Sequence, residues 1–149
     1  MKKYYLAYGS NLNKAQMEQR CPKAKAIGTG VIKAFELIYK GSMTGAYLTI
    51  EKAEGGTVPV GIWAVGKDDE SNLDRYEGYP NFYYKKKMKI FCKELDKEIT
   101  AFVYIMHEER KLGVPTPRYV ETCKQGYEDF GFNTDILDDA FFKSVEGAD

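Results

Sequence analysis

Two short stretches of this chain bring together residue types that can do chemistry. The first is Tyr8-Gly9-Ser10-Asn11-Leu12, which follows the apolar strand Tyr4-Tyr5-Leu6-Ala7 and runs into a helix start. Asn13 is a good N-cap, and Gln16 lies three residues on, where a capping-box partner belongs. A strand, a tight loop and a helix N-terminus in succession point backbone N–H groups at one spot, which suits an anion. The loop is too short for a Walker A motif, and no Gly-Lys-Ser/Thr follows, so a nucleoside triphosphate fits poorly. A carboxylate or a developing oxyanion fits better. Gly9 would let the backbone approach such a ligand, and no side chain is expected to be tolerated there. From its residues alone the segment reads equally as an ordinary strand-to-helix turn.

The second stretch runs from Asp68 to Gly78 and reads as a short helix, acidic at its start and stopped by glycine. Leu73 and Tyr76 are expected to face the core. Glu77 follows Leu73 by four residues and falls on or beside the same face, while Glu70, Asp74 and Arg75 point elsewhere. An inward carboxylate is costly unless it has a partner or a task. Burial and the helix C-terminus would both raise its pKa, the tuning a general base needs. The alternative is a frayed last turn with Glu77 in water.

In combination these segments resemble the gamma-glutamylcyclotransferase-like family. Tyr8-Gly9-Ser10-Asn11-Leu12 matches the family's opening motif, and Leu73-Asp74-Arg75-Tyr76-Glu77-Gly78 matches its catalytic-glutamate motif. Arg20-Cys21-Pro22, Val60-Gly61-Ile62-Trp63, and Pro115-Thr116-Pro117-Arg118-Tyr119 with Gly126 extend the likeness over nearly the whole chain, in the family's order. The resemblance implies one domain over residues 1–149, folded as a small mixed β-barrel. Its glutamate helix and Gly-containing loop would meet at one end. It implies an enzyme in which the α-amino group of a gamma-glutamyl compound attacks its own gamma-carbonyl, forming 5-oxoproline and releasing an amine or amino acid. Glu77 would be the general acid/base. Tyr8, Gly9, Ser10, Asn11 and Leu12 would bind substrate, and Tyr119 would be the tyrosine of the family's Pro-x-x-Tyr segment.

Around these motifs the chain reads as α+β, with mainly antiparallel strands and a few peripheral helices. Ile27 to Lys40 is extended, with Gly28, Gly30 and Gly41 as bends or bulges. Ala46 to Glu51 is a strand, Glu54-Gly55-Gly56 a turn, and Val58 to Val65 the next strand. Tyr83 to Cys92 and Ile99 to Met106 form a hairpin across Leu95-Asp96-Lys97. Tyr119, Val120, Cys123, Gly126, Tyr127 and Phe130 follow a helical period, and Ile136, Leu137, Ala140 and Phe141 form a second stripe. Alternation along the hairpin's first strand puts Tyr84 on the face of Met88, Ile90 and Cys92. Tyr84 is therefore the expected pocket hydroxyl, or else a core tyrosine with a satisfied OH.

Composition removes several function classes. Lys+Arg and Asp+Glu both number 22, so no net charge argues for nucleic acid or a membrane surface. Lys85-Lys86-Lys87 reads as a solvated face or a protected sheet edge. Cys21, Cys92 and Cys123 are an odd number without CxxC spacing, as free thiols in a reducing cytoplasm would be. No signal peptide or membrane span is expected. The single histidine, His107, cannot build an ordinary zinc site with scattered cysteines, and no GxSxG presents a serine to it. No metal and no cofactor is expected. A cyclisation needs neither, because its nucleophile arrives on the substrate. Expected partners are a small gamma-glutamyl substrate and at most a second copy of the chain, as monomer or homodimer. Other readings are a non-catalytic small-molecule-binding or interaction module of the same fold, or acyl transfer on a gamma-glutamyl protecting group. Glutathione fits less well, because the chain is compact and lacks the longer opening motif of the glutathione-specific branch.

Overall fold

The computed structural model describes residues 2–42 and 45–148. The opening strand β1 (Lys3–Ala7) leads through a one-turn 3-10 helix (Ser10–Leu12) into α1 (Lys14–Arg20). Two long strands follow, β2 (Lys25–Lys40) and β3 (Tyr47–Val65), and then α2 (Lys67–Glu77). The hairpin of β4 (Tyr83–Cys92) and β5 (Lys97–Met106) precedes two C-terminal helices, α3 (Pro117–Asp129) and α4 (Asp135–Ala148). The hairpin and the two helical stripes lie where the sequence periods put them. None of the described helices is long and apolar enough to cross a membrane.

All five strands join one mixed sheet in the order β2-β3-β1-β5-β4. Among the described strands only β1 and β5 pair in parallel, at Tyr5 and Phe102. The expected barrel is not formed, because the sheet does not close. Its two edge strands approach at one end, where the Lys93 amide donates to the Thr29 carbonyl at 3.2 Å and the Glu94 carboxylate accepts from the Thr29 amide at 2.6 Å. No ladder joins them, so the sheet is curled rather than closed. The basic run Lys85-Lys86-Lys87 lies on edge strand β4, where lysines discourage pairing with another chain.

The turn expected at Glu54-Gly55-Gly56 does not reverse the chain. β3 continues through it, pairing Thr57 with Lys33 on one side and Lys52 with Phe35 on the other. The extra residues are absorbed as a bulge opposite Ala34, with Gly55 at φ +76° and Ala34 at φ +66°. A glycine pair inside a long strand supplies a bulge as readily as a turn, and local sequence does not separate the two.

Helix α3 packs against the 3-10 turn so closely that the contact admits only glycine. A Cβ on Gly126 would lie 2.5 Å from the Asn13 amide nitrogen and 2.7 Å from the Leu12 carbonyl carbon. Both are backbone atoms, so the clash cannot be relieved by a rotamer change. Gly126→Ala would gain up to about 1 kcal/mol of helix propensity. Overpacking commonly costs about 1–3 kcal/mol, and against backbone the upper part of that range applies. The expected result is a lower denaturation midpoint in chemical unfolding. An unchanged or higher midpoint would show that α3 can shift away from the loop freely.

Candidate active site

The loop is built as a short, buried scaffold. Asn13 caps α1 by accepting from the Gln16 amide at 3.0 Å, while its own amide donates to the Ser10 carbonyl at 3.0 Å. The reciprocal half of a capping box is absent. Instead, the Gln16 side chain accepts from Arg20 at 2.8 Å. The Trp63 indole donates to the Asn11 carbonyl at 3.1 Å, and Tyr127 donates to the Tyr8 carbonyl at 2.9 Å. Ser10, Asn11 and Leu12 are all buried. The leading amides of a 3-10 turn have no partner within the turn. Gly9 has φ −128°, and an added Cβ would make ordinary contacts, 3.4 Å from the Tyr119 hydroxyl and 3.5 Å from Leu48. The protein's own packing therefore leaves room for a Cβ at Gly9, and the expectation that no side chain is tolerated there concerns the approach of a ligand.

Gly78 stops α2 in the left-handed region at φ +67°, as the helix-end reading requires. This cap turns the chain sharply and leaves Glu77 beside the loop. The Asn11 amide nitrogen donates to the Glu77 carboxylate at 3.3 Å and to the Tyr5 hydroxyl at 2.8 Å. Arg20 donates to the Asn11 oxygen. Because a guanidinium is only a donor, it fixes which way the Asn11 amide points and turns its nitrogen toward Glu77. Arg20 also lies 3.5 Å from the centre of the Tyr76 ring. Tyr76 is 44% exposed and bonds to the Ser10 hydroxyl at 3.1 Å, so it forms a cavity wall rather than core. Leu73, by contrast, is fully buried as expected.

Loop and helix end together border a cavity of about 340 Å³. Tyr8, Gly9, Ser10, Asn11, Glu77 and Tyr119 all line it. Leu12 does not; it is fully buried in the core beneath the loop. Tyr84 does not either, and its hydroxyl instead donates to the Glu108 carboxylate on the outside of the hairpin. Its neighbour Tyr83 takes the cavity position, 6% exposed, donating to the Leu48 carbonyl at 2.7 Å. Lys85 shares that inward face and is neutralised beneath α2 by Glu70 at 2.6 Å and Asp74 at 2.8 Å. Sequence reading missed Tyr5, Tyr47, Phe82 and Tyr104 as lining residues. The doubled Tyr4-Tyr5 ahead of the loop was the one local signal for any of them.

Electrostatically, the cavity lining holds one carboxylate, Glu77, among hydroxyls, with Arg75 also bordering it although expected to point elsewhere. Burial pushes Glu77 up to about 8, and the Arg20 guanidinium offsets part of that rise. The groups coupled to it are Arg20 from α1, Tyr5 and Tyr8 from the β1 end, Tyr83 from β4 and Tyr104 from β5. Only Arg20 is charged. A carboxyl at a cavity wall that is half-ionised near pH 8 can take a proton and return it, which is what acid/base catalysis asks of a residue.

The same segments recur in known proteins. A model of the family described as gamma-glutamyl cyclotransferase, AIG2-like, matches residues 5–122. Gamma-glutamylcyclotransferases of mouse and human are each 30% identical to this chain over 135 residues, covering 85% of it and 71% of their own length. A solved gamma-glutamyl cyclotransferase shares the fold at a TM-score of 0.82 and 25% identity, over 94% of this chain and 86% of that one. The matched stretch runs from β1 into α3 and takes in the loop, the glutamate and the tyrosine that meet at the cavity. The chain therefore belongs to the gamma-glutamyl cyclotransferase, AIG2-like family.

Proposed function

We propose that the chain is a gamma-glutamylcyclotransferase that converts a gamma-glutamyl amine or amino acid to 5-oxoproline, with Glu77 as its general acid/base. The observation that carries this reading is the placement of Glu77. It is a carboxyl desolvated enough to be pushed up to about 8, hydrogen-bonded to the loop, at the wall of a cavity sized for a small molecule. In the reaction, Glu77 takes a proton from the substrate's α-ammonium. The freed amine nitrogen bonds to the gamma-carbonyl carbon, and the carbonyl π pair moves onto oxygen. When that oxyanion collapses, the bond to the leaving nitrogen breaks and Glu77 returns its proton there. The second proton, shed by the ring nitrogen as it becomes a lactam, passes to the released amine, which departs as an ammonium. The leading amides of the loop serve the substrate α-carboxylate or the oxyanion. The aromatic walls hold the glutamyl chain folded back on itself, and such orientation can contribute up to about 7–11 kcal/mol.

The direct test is to incubate the protein with a panel of gamma-glutamyl amines and gamma-glutamyl amino acids and to assay 5-oxoproline. Its formation from at least one member, with release of one equivalent of amine, is the expected outcome. No product from any member would leave a binding module of the same fold.

Acidity supplies a second test. The base form of Glu77 is needed, so activity is expected to rise with pH through a limb well above the ordinary carboxylate range, near 8. The substrate ammonium contributes its own rise toward alkaline pH. The two groups exchange one proton, so the limbs belong to the pair. A carboxyl-resolved NMR titration assigns the acidic one. A midpoint at about 4.3, the value of a solvated glutamate, would contradict the role given to Glu77.

A further inference from the structure

The hydroxyl of Tyr5 differs from the other buried tyrosine hydroxyls of the cavity in sharing its hydrogen-bond partner, Asn11, with Glu77. Tyr8 donates to the Tyr104 carbonyl at 2.7 Å, Tyr83 to the Leu48 carbonyl at 2.7 Å, and Tyr104 to the Asp74 carboxylate at 2.5 Å. The Tyr119 hydroxyl accepts from the Leu48 amide at 3.1 Å. Tyr8, Tyr83 and Tyr104 have thus given their hydrogens to the protein, and Tyr119, which only accepts, is tied to the β3 backbone and not to the group that holds Glu77. Tyr5 instead receives a hydrogen bond, from the Asn11 amide at 2.8 Å, and its own hydrogen finds no acceptor among the described residues. A phenol that accepts one bond still has one to give. In a residue 3% exposed on the cavity wall, an ungiven hydrogen is costly unless a ligand supplies the acceptor.

Its position is fixed rather than incidental. The ring stacks on Phe102 at 5.3 Å and meets Tyr104 edge-on at 5.7 Å, so it has little freedom to turn the hydroxyl elsewhere. The Asn11 amide nitrogen bonds Tyr5 with one hydrogen and Glu77 with the other. The proposed base and this unspent donor are therefore held a few ångströms apart by one planar group. Ring closure needs that spacing: the attacking nitrogen must face a base while the oxygen of the carbonyl it attacks faces a donor.

Resting on the cyclotransferase reading above, we propose that Tyr5 is a further catalytic residue whose hydroxyl donates a hydrogen bond to the oxyanion formed on the gamma-carbonyl during ring closure. No proton leaves Tyr5. The oxygen gains its charge when the nitrogen–carbon bond forms, and loses it when the leaving nitrogen departs with the proton carried by Glu77. Burial and the neighbouring Glu77 raise the Tyr5 phenol well above its ordinary range, which keeps it a neutral donor rather than a second base. The leading amides of the loop are then left to the substrate α-carboxylate, so each of the substrate's two anionic groups has its own donors.

Tyr5→Phe keeps the ring and its stacking and removes only the hydroxyl. With wild-type turnover first established on the substrate panel, the expected result is a kcat lower by about 10²-fold, the scale of losing one oxyanion donor, with KM within a few-fold. The acidic limb of the pH profile should stay where the wild type has it. That separates a contact with substrate from an effect relayed through Asn11, which would move the limb because Asn11 bonds Glu77 directly. A kcat within threefold of wild type would overturn the assignment, and so would a loss accompanied by a displaced acidic limb. Wild-type protein that forms no 5-oxoproline at all would overturn the cyclotransferase reading and this assignment together.

Discussion

Glu77→Gln is expected to lower turnover by about 10²-fold or more while leaving the fold intact and substrate binding close to wild type. The amide has the shape of the carboxyl and can still accept from Asn11 at the position now bonded at 3.3 Å. It cannot take a proton from an ammonium, so the loss belongs in kcat and not in KM. Two neighbours keep the comparison clean. Arg20 remains bonded to Asn11 and Gln16, and Tyr76 remains packed under the guanidinium, so the cavity wall does not depend on the charge of residue 77. Measuring kcat and KM for both proteins on one confirmed substrate checks this. Turnover at the wild-type level in the variant would remove Glu77 from the mechanism and leave the cavity without a base.

Both ends of the site were readable because each is specified locally. A cap residue, a glycine stop and a carboxylate one helical turn from a core leucine are facts about neighbours in sequence, and Asn13, Gly78 and Glu77 take the expected positions. Residues whose surroundings come from distant segments were not readable. Tyr84 and Tyr83 show why. Ile90 and Cys92 mark one face of β4 as inside, and it is inside there because β2 covers it at Gly28 and Gly30. At the other end of the same strand the covered face is the opposite one, roofed by α2, with Lys85 made tolerable by Glu70 and Asp74. A period-2 reading assumes one inner face per strand, and a curled edge strand has two. Closure of the sheet was likewise beyond local pattern. A barrel needs a ladder between β2 and β4, whereas the described residues provide a single backbone bond and a glutamate contact at that end.

Stability against pH should separate the same two proteins in the opposite direction from activity. Glu77 titrates at about 8 in the folded chain and at about 4.3 in an unfolded one. The folded value is the higher, so the native state binds the extra proton between these two pH values. Its contribution to stability is therefore fully present below about pH 4.3 and is lost as pH rises through 8. Keeping an ionised Glu77 in the cavity should then cost the folded enzyme on the order of 5 kcal/mol above pH 8. The glutamine variant titrates nothing at this position, and the two proteins share every other ionisable group. The difference between their unfolding free energies should thus be flat below pH 4 and shift in favour of Glu77→Gln with rising pH. It should level off again above about pH 9. In thermal melts of a chain this size the gap would open by on the order of 10 °C. Parallel melts from pH 4 to 9 measure it directly. Curves that run parallel throughout would place Glu77 in water at its ordinary acidity, and the cavity would lose the feature that makes it an acid/base site.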